Sequence, residues 1–381
     1  MRQMEMEEYA GTHTEELLQL IRELCVVPAP SGQEEKRSRF LMEWMKQNGI
    51  GNAFTDSAGN VIWPYFDDGK CDLIAFCAHM DVVFPDMDAL PFQEDGKRFH
   101  APGVGDNTAC LASMLTAAKF FHDRCLKAKQ GLLLIADTGE EGLGNLKGCR
   151  AFTDRYRSRL KGVIAVDGAL NSFTTKAVGS HRYQITARTE GGHSYNAFGN
   201  LNAIAETARL ITALYGQKLP DKEGTKTTYN AGVISGGTTI NSIAAETKLL
   251  YEYRSDDKDC LMQMEKQFYR LLAENQKEGL QLSAERIGER PCGTGWIEGQ
   301  AELTEKLLKA AEDALGLTPD LKAGSTDINY PLSLGIPAVC IGAGMMGNTH
   351  RRDEYLEIDS VGQGLRFLLR VLSDYFITED Q

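Results

Sequence analysis

Glu140 and Glu141 stand side by side just after the apolar run 131–137, with Gly139 before them and Gly142 after. Adjacent carboxylates repel one another, and glycine on both sides marks a sharp turn of the backbone. Such a pair calls for a cation. Other acid and imidazole groups fall at equivalent places. His79 and Asp81, in AHMD, follow the apolar run 72–78, Asp167 closes the run 162–167, and His350, in GNTH, follows 336–343. Asp106, in GVGDNTA, precedes the apolar stretch 107–121. Imidazoles and carboxylates without cysteine suit a borderline divalent cation, zinc before magnesium. The set is larger than one tetrahedral zinc needs, whereas two ions about 3.5–4 Å apart with a shared carboxylate would use all of it. Each residue alone has a plainer role open to it, such as a cap, a buried ion pair or a solvated face. Asp106 suits a helix N-cap, although Asn107 could cap instead and leave Asp106 free. Independent structural demands would not, however, put all of these groups at the ends of successive strands.

The strands that must position them are the apolar runs 72–78, 131–137, 162–167 and 336–343. They are continuously apolar and alternate with helices, which predicts a mainly parallel α/β sheet covered on both faces. Ligands of such sheets gather at the carboxyl ends of the strands. Amphipathic helices are expected over 14–26 and 33–48, separated by PAPSG, and a buried helix over 107–121. From residue 179 the texture changes. SHRYQITARTE alternates like a half-exposed strand. Leu201, Ile204, Ala208, Ile211 and Leu214 form one helical stripe, and 227–256 reads as a hairpin turning at Gly236 and Gly237. A helix carrying Leu261, Met264, Phe268 and Leu271 and a strand over 280–288 complete a β-α-β-β-α-β unit, which is ferredoxin-like. The expected organisation is a catalytic domain in two parts, 1–178 and 291–381, interrupted by an inserted domain, 179–290.

A formal charge of -12 without clustered Lys and Arg argues against nucleic acid or an anionic membrane as partner. No run reaches the length of a membrane span, and the N-terminal stretch shows no apolar signal region. The nine cysteines stand singly, without a CxxC, and Cys77, Cys110 and Cys340 lie in apolar runs. That usage fits small buried hydrophobes in a reducing compartment, so a cytoplasmic location is expected.

AHMDVV, GVGDNTA, TGEEGLG, VDG, GGHSY and GNTHRRDEY, in this order and around a ferredoxin-like insertion, resemble the co-catalytic zinc exopeptidase family. That family contains aminoacylase, acetylornithine deacetylase, carboxypeptidase G and peptidase T. The resemblance spans nearly the whole chain. It implies a three-layer α/β/α catalytic domain with an inserted ferredoxin-like α+β lid and dimerisation domain. It makes His79 and Asp167 ligands of one metal, Glu141 and His350 ligands of the other, and Asp106 the bridge. Asp81 would orient the His79 imidazole. Glu140 is left as general base. The cofactors implied are two divalent ions, zinc first, with cobalt or manganese as alternatives. His193, in EGGHSY, would stabilise the developing oxyanion in the neighbouring subunit of a homodimer built through 179–290; on its own it would read as a polar loop residue.

Asn241 and Arg254 match positions where the family meets substrate, and AGSTDINYPLSLGIP resembles a segment near the active-site rim of its di- and tripeptidase-like members, where Gly324 and Ser325 would offer backbone donors. A surface ion pair is the other reading of Arg254, and Asp327 reads as a turn cap. His13, His100, His122 and His181 follow none of the ligand-bearing runs and are read as structural, His100 in a turn-like stretch. The resemblance points to an aminopeptidase acting on di- or tripeptides. A deacylase of N-acyl or N-carbamoyl amino acids is the alternative within hydrolases, and a catalytically silent metal-binding dimer the alternative outside them.

Overall fold

The computed structural model describes residues 3–293 and 295–377. The chain divides into two compact units, Met1–Ala177 with Trp296–Gln381, and Val178–Gly295. In chain order the principal strands are β1 (Phe54–Thr55), β2 (Val61–Phe66), β3 (Leu73–His79), β4 (Gly131–Asp137), β5 (Leu160–Val166), β6 (Ser172–Ala177), β7 (Gly179–Arg188), β8 (Thr227–Gly236), β9 (Glu246–Ser255), β10 (Gln281–Arg290), β11 (Asp320–Gly324) and β12 (Ala338–Ile341). The α-helices are α1 (Gln3–Cys25), α2 (Glu35–Gln47), α3 (Cys110–Asp123), α4 (Lys147–Tyr156), α5 (Ala203–Tyr215), α6 (Lys258–Glu274), α7 (Gln300–Leu315), α8 (Asn329–Ser333) and α9 (Ile358–Ser373).

In the first unit one sheet runs β1-β2-β4-β3-β5-β12-β6-β11. β3 pairs in parallel with β4 and β5, β12 with β5, and β11 with β6. Every residue of β3 and β4 is buried, because the sheet is covered on both faces. Alternate residues enter opposite cores. Phe76, Leu134 and Ile164 pack with α1, α3, α7 and α9, whereas Cys77, Leu133 and Ile135 pack with α4 and α8. Each fully buried Leu or Phe there contributes about 1.5–3 kcal/mol. β2 joins β4 antiparallel, and its Pro64 lies beyond the two residues that β1 covers, where the ladder to β4 shifts register. That placement is how a strand tolerates a proline.

Two helix boundaries differ from expectation. α1 begins at Gln3 rather than at residue 14, since Met6, Tyr9 and Ala10 continue its buried face through Gly11. The buried helix expected from 107 starts as α3 at Cys110, after a wide turn over Val104–Ala109 in which Asp106 and Asn107 leave helical dihedral angles. The peptide bond between them is cis. Neither side chain caps α3. The Asn107 amide instead donates to the Val166 carbonyl at 2.9 Å.

The second unit is a sheet ordered β8-β9-β7-β10, antiparallel throughout, with α5 and α6. This is the strand order of a ferredoxin-like β-α-β-β-α-β unit. Leu261, Met264, Phe268 and Leu271 of α6 are buried on Tyr183, Tyr251 and Tyr253. The stripe expected on α5 needs correction. Ile204 and Ala208 face outward, and the buried face is Ala203, Glu206, Thr207, Leu210 and Leu214. Two polar residues sit there because each has a partner, Glu206 with Lys277 at 2.6 Å and Thr207 with the Thr247 hydroxyl. An apolarity count cannot register such pairs. Among the described residues no helix is long and apolar enough to cross a membrane.

Candidate metal centre

The carboxyl ends of the central strands assemble the site. β3 ends on His79, β4 on Asp137 two residues before Gly139, and β5 on Val166 just before Asp167. Gly139 and Gly142 take φ of +67° and +52°, left-handed values that favour glycine. The chain therefore doubles back after β4, with the Gly144 N–H donating to the Glu141 carbonyl at 2.8 Å. This turn aims the main-chain N–H groups of Glu140 and Glu141 at Asp81, which accepts each at 3.0 Å. His350 lies on the loop between the short paired strands Met346–Gly347 and Tyr355–Glu357.

Asp106 stands between the two imidazoles. Its Oδ1 is 3.0 Å from His79 Nε2 and its Oδ2 is 3.2 Å from His350 Nε2, which also lies 2.9 Å from Glu141 Oε1. Donor atoms of His79, Asp106 and Asp167 lie within 4.8 Å of one another, as do those of Asp106, Glu141 and His350, and those of His79, Glu140 and Glu141. The first two groups share only Asp106. His79 Nδ1 lies 3.1 Å from the Asp81 carbonyl and 3.5 Å from its carboxylate, leaving Nε2 to face the centre. His79, Asp81, Glu140 and Glu141 are buried, and the His350 side chain is half exposed.

Electrostatics follow from this crowding. Burial pushes the Asp106 carboxyl up, but hydrogen bonds from His350 and His79 outweigh it and hold the group below its usual range. Burial lowers His79, and its bonds to Asp106 and Asp81 more than reverse that. His350 is raised to about 10 by Asp106 and Glu141. Burial pushes Glu141 and Asp167 up, against opposing pulls from His350 and His79 respectively. A centre this rich in carboxylate favours protonated imidazoles, and a divalent cation at the same donor atoms would do the same neutralising work. Two imidazole nitrogens and three carboxylates, with one carboxylate common to both groups, fit a pair of borderline divalent ions.

The structure thus gathers His79, Asp81, Asp106, Glu140, Glu141, Asp167 and His350. The other predicted residues are described each within its own unit. Gly324 ends β11 with Ser325 after it; a Cβ at Gly324 would meet the Thr174 side chain at 2.9 Å. Asp327 is not a turn cap: Thr326 and Asn329 cap that turn, while the Asp327 carboxyl is buried in a group with Cys77 and Asp137. Burial raises Asp137 to about 7 and Asp327 well above the usual range.

Within the second unit, His193 is exposed on a short strand paired with Ser242–Ile243. Its Nδ1 accepts the N–H groups of Tyr195 and Asn196 at 3.3 and 3.4 Å, so the neutral ring carries its proton on Nε2. Arg254 makes a two-pronged ion pair with Glu252 at 2.8 and 3.1 Å, and Asn241 accepts from the Thr239 hydroxyl at 3.0 Å. His181 is buried against the Tyr253 hydroxyl at 2.9 Å, and His100 lies in a short strand, Arg98–His100, rather than a turn. Sequence reasoning missed Ser31, whose hydroxyl donates to Asp81 at 2.6 Å, and Glu354, whose carboxylate meets the Asp106 loop. Glu354 lay inside the quoted GNTHRRDEY; no periodicity marks Ser31.

Residues 75–374 match the peptidase family M20/M25/M40, and the chain belongs to that family. It is accordingly a hydrolase of a metallopeptidase family. Among curated relatives, succinyl-diaminopimelate desuccinylase of Corynebacterium glutamicum is 22% identical over 369 residues, covering 93% of this chain and 95% of that protein. A tripeptidase from Staphylococcus aureus subsp. aureus Mu50 shares the fold with a TM-score of 0.74, 21% identity, and coverage of 95% and 98%. The Bacillus subtilis YXEP protein, described as a dinuclear metal-binding peptidase, shares it with a TM-score of 0.65, 15% identity, and coverage of 96% and 99%.

Proposed function

We propose that the chain is a metal-dependent aminopeptidase of di- or tripeptides, with a pair of divalent ions, zinc first, held by His79, Asp106, Glu141, Asp167 and His350. The observation that carries this reading is the Asp106 carboxylate, 3.0 and 3.2 Å from two imidazoles that belong to different donor groups. When bound, such ions supply Lewis acidity at a scissile carbonyl and a more acidic water. Glu140, buried beside the donors but outside the two groups that share Asp106, takes the proton of the attacking water and returns it to the leaving amine. Asp81 fixes the His79 ring and the glutamate backbone at once. His193 offers its Nε2 proton to the developing oxyanion of a partner chain in a homodimer built through the inserted unit, which also serves as a lid. Asn241, Arg254, Gly324 and Ser325 are the proposed substrate contacts.

The tripeptidase likeness supports the peptide reading. The nearly full-length likeness to a desuccinylase supports a second, removal of an acyl group from an amino acid. Both use one centre and differ in whether a free amine or an acyl group is recognised. Hydrolysis of free di- and tripeptides beside their N-acetylated forms and N-acyl amino acids separates them. Metal-dependent cleavage of the free peptides, lost on N-acetylation, is expected. Turnover confined to the acylated compounds would move the chain to the second reading.

A further inference from the structure

Glu354 is four residues beyond His350 and almost fully buried, with 1% exposure. A buried carboxylate costs several kcal/mol unless it is compensated, and here the compensation comes from one short loop. Glu354 Oε2 accepts the Gly103 N–H at 3.1 Å, and Oε1 accepts the N–H groups of Gly105 at 2.8 Å and Asp106 at 2.9 Å. The Glu354 carbonyl adds the Ala101 N–H at 3.2 Å. Successive N–H groups converging on one anion form a nest that fixes the local backbone. Gly105 allows the approach: a Cβ there would lie 2.7 Å from Met346 Cβ and 3.2 Å from Glu354 Oε1.

The loop so held carries Asp106, and the segment that supplies Glu354 carries His350. Asp106 and His350 sit in one donor group, 3.2 Å apart. Antiparallel pairing of Arg98–His100 with Tyr355–Glu357 joins the two segments, and the Glu354 carboxylate carries that join on to residues 103–106, next to the donors. We propose that Glu354 is a positioning residue that sets the distance between Asp106 and His350, and hence the affinity of the second ion, without touching either metal or substrate. This inference rests on the metal-centre reading above.

The test titrates metal-stripped protein with Co2+, following bound cobalt and its visible absorption, in the parent and in Glu354→Gln. The amide keeps one acceptor oxygen and sets its NH2 against a loop N–H that the carboxylate accepted. Expected are two ions per chain in the parent, and in the variant a second ion bound 10–100-fold more weakly with altered absorption. The kcat should fall while KM stays within about twofold. Parent-like cobalt binding and absorption in a folded Glu354→Gln would overturn the inference. If circular dichroism shows that variant unfolded, Glu354→Asp, which keeps the charge but falls one methylene short, is judged by the same cobalt criterion. A parent that binds no cobalt removes the metal centre and this inference together, whereas a parent that binds it beside an unaffected variant removes the inference alone.

Discussion

Asp81 Oδ1 accepts the main-chain N–H of Glu140 at 3.0 Å, which ties the proposed general base to the residue that orients His79. Its other oxygen accepts the Glu141 N–H at 3.0 Å and the Ser31 hydroxyl at 2.6 Å. Asp81→Asn keeps the shape and turns one of those oxygens into a donor facing a donor. A fall of about 10–100-fold in kcat with the fold retained is expected, read by steady-state kinetics beside circular dichroism; parent-like turnover would detach Asp81 from catalysis.

Glu140 is buried next to the donors, yet it belongs to neither group that shares Asp106. Glu140→Gln should therefore keep the parent's metal content and lose about 10²–10⁴-fold in turnover. Metal analysis beside kcat decides it, and a variant that loses metal in proportion to activity would make Glu140 a ligand instead.

Much of this centre was legible because His79, Glu140, Glu141 and Asp167 come at or just after apolar runs that had to be buried strands, and strand ends converge; Asp106 stood out as an acid opening a buried helix. What was not legible has physical causes. The outward turn of Ile204 and Ala208 on α5 depended on the partners of Glu206 and Thr207, which lie far along the chain. Asn107 offered itself as an alternative cap because its long-range acceptor, the Val166 carbonyl, leaves no local pattern. Asp327 looked like a turn residue; only packing brings it to Cys77 and Asp137.

Arg37 is 1% exposed, and its guanidinium donates to the carbonyls of Met80 at 2.8 Å, Leu24 at 3.0 Å and Val27 at 2.9 Å. Met80 lies between His79 and Asp81, so this arginine braces the strand end from behind. Arg37→Met leaves buried carbonyls without donors and should cost about 2–5 kcal/mol. Urea unfolding measures it; a change under 1 kcal/mol would show that water replaces the guanidinium.

Asp257 caps α6 by accepting the Cys260 N–H at 3.0 Å and pairs with Lys222. The Lys222 ammonium lowers its pKa from 3.8 to about 2. A carboxylate with a depressed folded pKa stabilises above its unfolded pKa and loses that contribution as pH falls through the folded value. Asp257→Ala should be less stable than the parent by about 1 kcal/mol at pH 6, and the gap should narrow as pH falls from about 4 toward 2. Unfolding midpoints at pH 6, 4 and 3 check the sign; a gap that widens on acidification would contradict it.

Asp106 is proposed to lie between two cations. Crystals of the zinc-loaded protein, measured with anomalous scattering on both sides of the zinc edge, test it directly. Two zinc peaks are expected about 3.5–4 Å apart, one beside His79 and Asp167, the other beside Glu141 and His350, with the Asp106 carboxylate between them. A single peak, or zinc bound away from Asp106, would contradict it.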